Sequence, residues 1–119
     1  MHADQFESRL ARVRHRFATT LEGKITNAVV TADHMSCSAD GVMHVSESYR
    51  NLHGICGIGP TVGFIATGEA AQVAEAALIQ AYRESRGLTQ TEVISLKEAL
   101  ERLRVAAESE LRLMYQRGG

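Results

Sequence analysis

The chain has 119 residues, which suits one domain with one hydrophobic core. Its apolar fraction of 45%, charged fraction of 23% and net charge of −1 are typical of a soluble globular protein and provide no overall field to hold nucleic acid or an anionic membrane. It has no Trp, one Pro and 5% aromatic residues, a composition that disfavours a β-sandwich or barrel and favours a helical bundle.

A first helix is predicted from Asp4 to about Ala32. Asp4 is a good N-cap residue, with Glu7 three positions later. Apolar residues then recur at intervals of three and four, as on one face of a helix: Phe6, Leu10, Val13, Phe17, Leu21, Ile25 and Ala28. Residues 33–41 are small and polar, and they are predicted to form the first connection.

Two further helices are predicted between residues 42 and 87. The apolar positions of the first are Val42, Val45, Tyr49, Leu52 and Cys56, and it ends near Gly59-Pro60 because proline breaks a helix. The apolar positions of the next are Phe64, Thr67, Ala71, Ala74, Leu78 and Ala81. This helix is predicted to end near Arg86-Gly87, with Gly87 as the left-handed residue that follows it.

The last helix has a local start signal. Thr89 and Glu92 are spaced as a capping box, and Leu88 and Val93 as a hydrophobic staple. Its apolar positions are Val93, Leu96, Leu100, Leu103, Ala107, Leu111 and Met114. Four amphipathic helices with short connections predict an all-α, antiparallel up-down-up-down four-helix bundle in a single domain, residues 1–119. That architecture alone specifies no function.

The most informative segment lies around His53. Because His53 follows Leu52 of the apolar stripe, it is expected at the border of the core, partly turned toward solvent. Gly57 lies one helical turn later on the same face. A glycine inside a helix costs about 1 kcal/mol relative to alanine, and a bare backbone beside an imidazole would let another protein approach the ring.

The same segment resembles the signature of the histidine-containing phosphotransfer (HPt) family, H-x-L-K-G-x-x-x-x-x-G. The chain has His53, Ile55, Gly57 and Gly63 at the corresponding spacing. The resemblance implies that His53 accepts a phosphoryl group from the aspartyl phosphate of a receiver domain. It further implies that the receiver supplies Mg²⁺, and that the chain is a carrier with no kinase site and no cofactor of its own.

The chain departs from this signature at one position. The family usually has Lys three residues after the His, whereas this chain has Cys56. Arg50, three residues before His53, could supply the positive charge instead. The family also commonly places a Gln of the following helix near the imidazole, and both Gln72 and Glu75 remain open as its counterpart. Cys56 itself fits a buried small residue better than a reactive thiol.

Two other groups of residues have alternative interpretations. Arg9, Arg12 and Arg16 form a basic stripe that is either a solvated helix face or a docking surface for an acidic receiver domain. Metal-ligating residue types also occur, but without the spacing of a known metal motif, so no metal site is expected. These residues are His2, His15, His34, His44, His53, Cys37 and Cys56.

The N-terminal residues do not resemble a secretory signal, because charges are scattered through them. No apolar run approaches the roughly 20 residues of a membrane span. With only two cysteines, reduced thiols are the simplest interpretation. The sequence therefore predicts a cytoplasmic protein.

The leading hypothesis is a monomeric phosphoryl carrier between a hybrid histidine kinase or receiver domain and a response regulator, without nucleic-acid or membrane partners. One alternative is a degenerate HPt-like module that binds a receiver or kinase without carrying phosphate, which Cys56 in place of Lys favours. The other is a purely structural bundle that self-associates through a helix face.

Overall fold

The computed structural model describes residues 2–36 and 39–117, with side chains for residues 5–36 and 40–117. These residues form four α-helices: α1 (His2–Thr31), α2 (Ala39–Ile58), α3 (Ile65–Arg83) and α4 (Gln90–Gln116). Short 3₁₀ turns at Ala32–His34 and Pro60–Val62 follow α1 and α2, and no strand is present in the described part. Within that part, none of the helices combines the length and the apolar character needed to cross a membrane.

The four helices pack against one another in a ring, α1 on α2, α2 on α3, α3 on α4 and α4 on α1. The all-helical fold predicted from the sequence is therefore confirmed. Every predicted apolar position of α3 is buried, and three of them are alanines, Ala71, Ala74 and Ala81. Small side chains let neighbouring backbones approach closely, as at Gly68, where an added Cβ would lie 2.7 Å from the ring of Pro60.

The apolar stripe of α1 is buried along only part of its length. Phe17, Leu21 and Ile25 belong to the core, as predicted. Phe6 and Val13 are 66% and 46% exposed, so the prediction that they are core residues is wrong. The periodicity of a helix identifies an apolar face, but burial also requires that another helix extends along that face.

The predicted starts of α1 and α2 both shift. α1 begins at His2, so Asp4 lies inside the helix and the predicted N-cap is wrong. α2 begins at Ala39, inside the segment 33–41 that was predicted to be a connection. Residues 37 and 38 of that segment lie outside the described residues.

The buried face of α2 is rotated slightly from the predicted one. Ile55 and Ser48 are each 1% exposed, whereas Tyr49 and Cys56 are only partly buried. The rotation places Tyr49 and Cys56 at the edge of α2. Ser48 Oγ is buried without a hydrogen-bond partner among the described residues.

The end of α3 comes three residues earlier than predicted. The residue in the left-handed conformation is Ser85, with φ of 51°, and not Gly87. The N–H of Arg86 donates to the carbonyl of Ala81 (3.0 Å), and the N–H of Ser85 to that of Tyr82 (3.2 Å). These two bonds form a Schellman motif, which satisfies the last carbonyls of the helix.

The start of α4 confirms the sequence prediction. The Glu92 N–H donates to Thr89 Oγ1 (3.2 Å), and the Thr89 N–H donates to Glu92 Oε1 (2.8 Å). Both halves of the capping box are thus present. Leu88 is buried and Val93 packs against the core, as the predicted hydrophobic staple requires.

Candidate functional site

His53 lies on the last turns of α2, five residues before the helix ends at Ile58. Its side chain is 68% exposed, in agreement with the expectation that it faces solvent. Imidazole Nδ1 lies 2.7 Å from Oε1 of Glu75, a residue of α3 whose side chain is only 12% exposed. An accessible ring is therefore joined to a mostly buried carboxylate on the neighbouring helix.

The partner of Nδ1 determines what the other ring nitrogen can do. An ionised carboxylate accepts hydrogen bonds and cannot donate one, so Nδ1 carries the hydrogen in the contact between His53 and Glu75. In a neutral imidazole, Nε2 then has a free lone pair. The arrangement presents a nucleophilic nitrogen on an exposed side chain.

Two tyrosines extend the site along the contact between α2 and α3. The ring of Tyr49 stacks on that of His53, with centroids 5.8 Å apart and planes 13° from parallel. The ring of Tyr82 in turn stacks on that of Tyr49, with centroids 4.0 Å apart and planes 15° from parallel. Burial first, and then the charge of Glu75 and a hydrogen bond to it, raise the pKa of Tyr49 above its usual value of 10.0. Tyr49 therefore keeps its phenolic proton at neutral pH.

Cys56 occupies the position where the HPt signature has Lys. It is partly buried and is not in a disulfide. Burial first, and then the nearby charge of Glu75, raise the pKa of the Cys56 thiol above 9.0. The group is thus neutral at neutral pH, and it brings no positive charge to the imidazole.

The glycines beside His53 differ in whether packing within the chain requires a glycine at that position. A Cβ added to Gly54 or Gly57 would meet nothing within 4 Å among its described surroundings. A Cβ added to Gly59 would lie 2.7 Å from the carbonyl oxygen of Ile55, so the fold itself requires that glycine. Packing inside the chain does not account for Gly54 and Gly57. They leave open space on the exposed side of α2.

The structure distinguishes between the candidate supports of the imidazole. Glu75 contacts His53, whereas Gln72 lies one turn earlier on α3 and is exposed. Arg50 is exposed, and its Nη2 donates to Ser46 Oγ at 2.6 Å, on the side of Arg50 away from His53. The Arg50 guanidinium is thus bonded toward the start of α2, whereas His53 lies toward its end.

Arg9, Arg12 and Arg16 are all exposed on α1. Asn27 follows Arg16 by eleven residues, close to three full turns, so the two lie at nearly the same helical angle. The amide nitrogen of Asn27 is 3.5 Å from Oε1 of Glu47 on α2. The basic stripe therefore lies on the side of α1 that meets α2 at Asn27. The imidazole lies on the opposite edge of α2, toward α3.

Other histidines and cysteines do not gather around this site in the described structure. No group of three or more His, Cys, Asp or Glu that could hold a metal ion occurs among residues 5–36 and 40–117. His34 and His44 have ring centroids 6.3 Å apart. The side chain of His2 and the whole of Cys37 lie outside the described residues.

Sequence reasoning identified His53 but missed the aromatic stack. Tyr49 precedes His53 by four residues, and this spacing places two rings next to each other on a helix, so a local signal was present. Tyr82 has no such signal, because its contact depends on how α3 packs on α2. No protein-family model, curated protein or solved structure matches the chain.

Proposed function

We propose that the chain is a histidine phosphotransfer protein, with His53 as the phosphoacceptor, that relays phosphoryl groups between receiver domains. The observation that carries this proposal is the exposed imidazole whose Nδ1 contacts Glu75 at 2.7 Å. The open space at Gly57, one turn along the same helix, supports it because a partner's active site has to reach Nε2. The partners are response-regulator receiver domains and a hybrid histidine kinase.

The chemical step requires little from the bundle. The lone pair of His53 Nε2 attacks the phosphorus of a receiver aspartyl phosphate in line. The bond between phosphorus and the aspartyl oxygen breaks, and the aspartate leaves as a carboxylate. The hydrogen stays on Nδ1 and is donated to Glu75, whose carboxylate stabilises the positive charge that the ring acquires. The receiver supplies Mg²⁺ and most of the charge stabilisation, and the same step in reverse passes the group on.

An antiparallel up-down-up-down order of the helices fits this function and is part of the proposal. Pairs of contacts between neighbouring helices support it. Asp33 near the end of α1 pairs with Lys97 near the start of α4. Arg14, in the first half of α1, and Met114, near the end of α4, line one groove. Thr67 at the start of α3 contacts Glu110 near the end of α4.

The basic stripe of Arg9, Arg12 and Arg16 is proposed to dock the acidic surface of a receiver domain. Its exposure, on the side of α1 that meets α2 at Asn27, supports a partner that covers both helices. Arg50 is proposed to leave Ser46 and meet the phosphoryl oxygens, where Cys56 provides no charge. Gln72, exposed on α3, would border the same partner.

The second candidate is a docking module that binds a receiver without accepting phosphate. The neutral, partly buried Cys56 favours it, because a positive charge at that position would normally meet the phosphoryl oxygens. The two candidates differ in a single observable, the labelling of His53.

Incubation with receiver domains carrying a radiolabelled phosphoryl group tests the first candidate. Wild-type protein should become labelled, and the label should survive base and be lost in acid. His53→Gln should abolish labelling while leaving receiver binding intact, with His15→Gln as an exposed histidine control. Binding of receivers without labelling of the wild type would establish the docking module. Neither binding nor labelling, together with an obligate oligomer in light scattering, would establish the structural bundle.

A pair of glycine variants tests whether Gly57 is kept for partner access. Gly57→Ala and Gly23→Ala both replace a helical glycine whose added Cβ meets nothing within 4 Å. Each should raise the free energy of unfolding by about 0.5–1 kcal/mol. Gly57→Ala alone should slow transfer, because its methyl group stands in the proposed interface. Equal transfer rates for both variants would remove the access argument.

A further inference from the structure

The aromatic stack beside His53 has no role in the chemistry described so far. The rings of Tyr82, Tyr49 and His53 follow one another across the contact between α3 and α2. We propose that Tyr49, backed by Tyr82, is a positioning residue that sets the plane of the His53 imidazole, so that Nδ1 stays on Glu75 and Nε2 points to the partner. The inference rests on the proposed function, since the orientation matters for transfer.

The need for such a residue follows from the exposure of His53. A side chain that is 68% exposed has few packing contacts to select one rotamer. The hydrogen bond to Glu75 fixes the position of Nδ1, but the ring can still turn about that contact. A flat neighbour on one face of the imidazole removes this freedom.

Tyr49 has the geometry of that neighbour. Its ring is 13° from parallel to the imidazole at a centroid distance of 5.8 Å, within the range of offset-stacked rings. Glu75 connects to both residues, because it accepts from the Nδ1–H of His53 and raises the pKa of Tyr49 through its charge and a hydrogen bond. The carboxylate and the stacked ring thus hold the imidazole from two directions.

Tyr82 holds Tyr49 in turn. The two tyrosine rings are 4.0 Å apart and 15° from parallel, and they belong to different helices. The contact between His53 and Glu75 joins the same two helices. Two cross-helix contacts therefore act on one imidazole, and a shift of α3 against α2 would disturb both.

Four variants separate the ring of Tyr49 from its hydroxyl and from general effects of losing a tyrosine. Tyr49→Leu removes the flat ring, and Tyr49→Phe keeps it. Tyr82→Leu removes the backing ring from the other helix. Tyr115→Leu is the matched control, because Tyr115 is an exposed tyrosine on α4. Thermal unfolding of each variant, followed by circular dichroism, verifies that it is folded.

The primary readout is the pair of ¹⁵N shifts of the His53 ring, measured by NMR on the free protein. Wild type, Tyr49→Phe and Tyr115→Leu should show one dominant tautomer, with hydrogen on Nδ1. In Tyr49→Leu the two shifts should move toward each other, as expected for mixed tautomers and a mobile ring. Tyr82→Leu should have the same effect, smaller in size.

The second readout is the rate of phosphoryl transfer from a labelled receiver domain. Tyr49→Leu should lower the maximal rate about tenfold with little change in the receiver concentration at half-maximal rate, because misplaced reacting atoms affect the chemical step. Tyr49→Phe should remain close to wild type. If Tyr49 had a purely structural role, Tyr49→Leu would lower the stability of the fold. It would not lower the maximal rate selectively while the receiver concentration at half-maximal rate stays the same.

The two readouts also separate the inference from the proposed function. A wild type that never accepts phosphate overturns the carrier function, whereas the NMR shifts still decide the positioning role. Unchanged shifts in both Tyr49→Leu and Tyr82→Leu overturn that role, even if transfer occurs. If Tyr49→Leu does not fold, Tyr82→Leu alone decides between these outcomes.

Discussion

The connection between α2 and α3 and the one between α3 and α4 are each six residues long, but the helices that follow them are capped in different ways. Both helix ends beside residues 84–89 are capped by near neighbours, with a Schellman motif ending α3 at Ser85 and a capping box starting α4 at Thr89. The segment also has one distant bond, from the Leu88 N–H to the carbonyl of Met35 at 2.8 Å. In residues 59–64, Phe64 is the N-cap of α3 and makes no side-chain cap. Gly63 of this segment has φ of 95°, a left-handed conformation that suits glycine.

The missing cap of α3 is supplied from another helix. Glu110 of α4 accepts hydrogen bonds from the Thr67 N–H (2.7 Å), the Thr67 hydroxyl (2.7 Å) and the Ala66 N–H (3.3 Å). Arg14 of α1 donates to the carbonyl of Val62 at 2.9 Å. Unpaired N–H groups at a helix start need an acceptor, and the acceptor can come from any part of the chain. The two connections show that a helix start after a connection of the same length can be capped by local or by distant residues.

The largest expected effect comes from removing the distant cap. Glu110→Ala leaves two N–H groups of α3 and the fully buried hydroxyl of Thr67 without this acceptor. It should lower the free energy of unfolding by about 2–3 kcal/mol in urea denaturation. Glu98→Ala, at an exposed position of the same helix, should change it little. A loss no larger than that control would show that the start of α3 does not depend on α4.

Removing the local cap should cost less. Thr89→Ala removes the hydroxyl that accepts the Glu92 N–H, and the expected loss is about 1 kcal/mol. Thr91→Ala, at an exposed position two residues on, is the control. The same urea denaturation measures both variants. If Thr89→Ala proves more costly than Glu110→Ala, the contrast between the two connections is reversed.

The acid side of the stability curve tests a second local contact of α4. Hydrogen bonds from Arg86 Nη1 and Nη2 lower the pKa of Glu92 from 4.5 to about 2. Because the folded pKa lies below the unfolded one, the pair stabilises the fold above about pH 4.5 and loses this contribution as the pH falls toward 2.

Arg86→Gln should therefore reduce the amount of folding stability that is lost as the pH falls from about 4.5 toward 2. The pair is partly exposed, so the difference should stay below about 1 kcal/mol. Unfolding measured at a series of pH values compares the variant with Arg102→Gln, a substitution of an exposed arginine. Identical acid dependence in the two variants would show that Arg86 does not act through Glu92.

The smallest expected effect is at the end of α3. Ser85 adopts φ of 51°, which is unfavourable for a residue with a Cβ. Ser85→Gly should raise the free energy of unfolding by about 0.5 kcal/mol, because relief of the unfavourable φ slightly exceeds the extra entropy that a glycine loses on folding. Ser109→Gly, in the interior of α4, should lower it by a similar amount. A loss in both variants would contradict the role given to Ser85.

In the candidate site, too, some features depend on nearby residues of one helix and others on contacts between helices. His53 was predicted to be exposed because it follows a buried position of the helix, and its 68% exposure agrees. The spacing of Gly57 placed it one turn away on the same face. The choice between Gln72 and Glu75 could not be made from the sequence, since both lie on the facing helix within one turn. Only the packing of α3 on α2 places Glu75 at Nδ1.

By itself the sequence determined the four helices of the described residues, the burial of the alanine-rich face of α3 and the capping box at Thr89, since these depend on residues a few positions apart. The tertiary structure decided which parts of an apolar stripe are covered, as the exposed Phe6 shows. It also decided which side chains meet across helices, as Glu110 meets Thr67 and Glu75 meets His53. The physical reason is that helical periodicity specifies a direction around one helix axis, whereas a contact also requires the height and rotation of a second helix, and those follow from packing of the whole core.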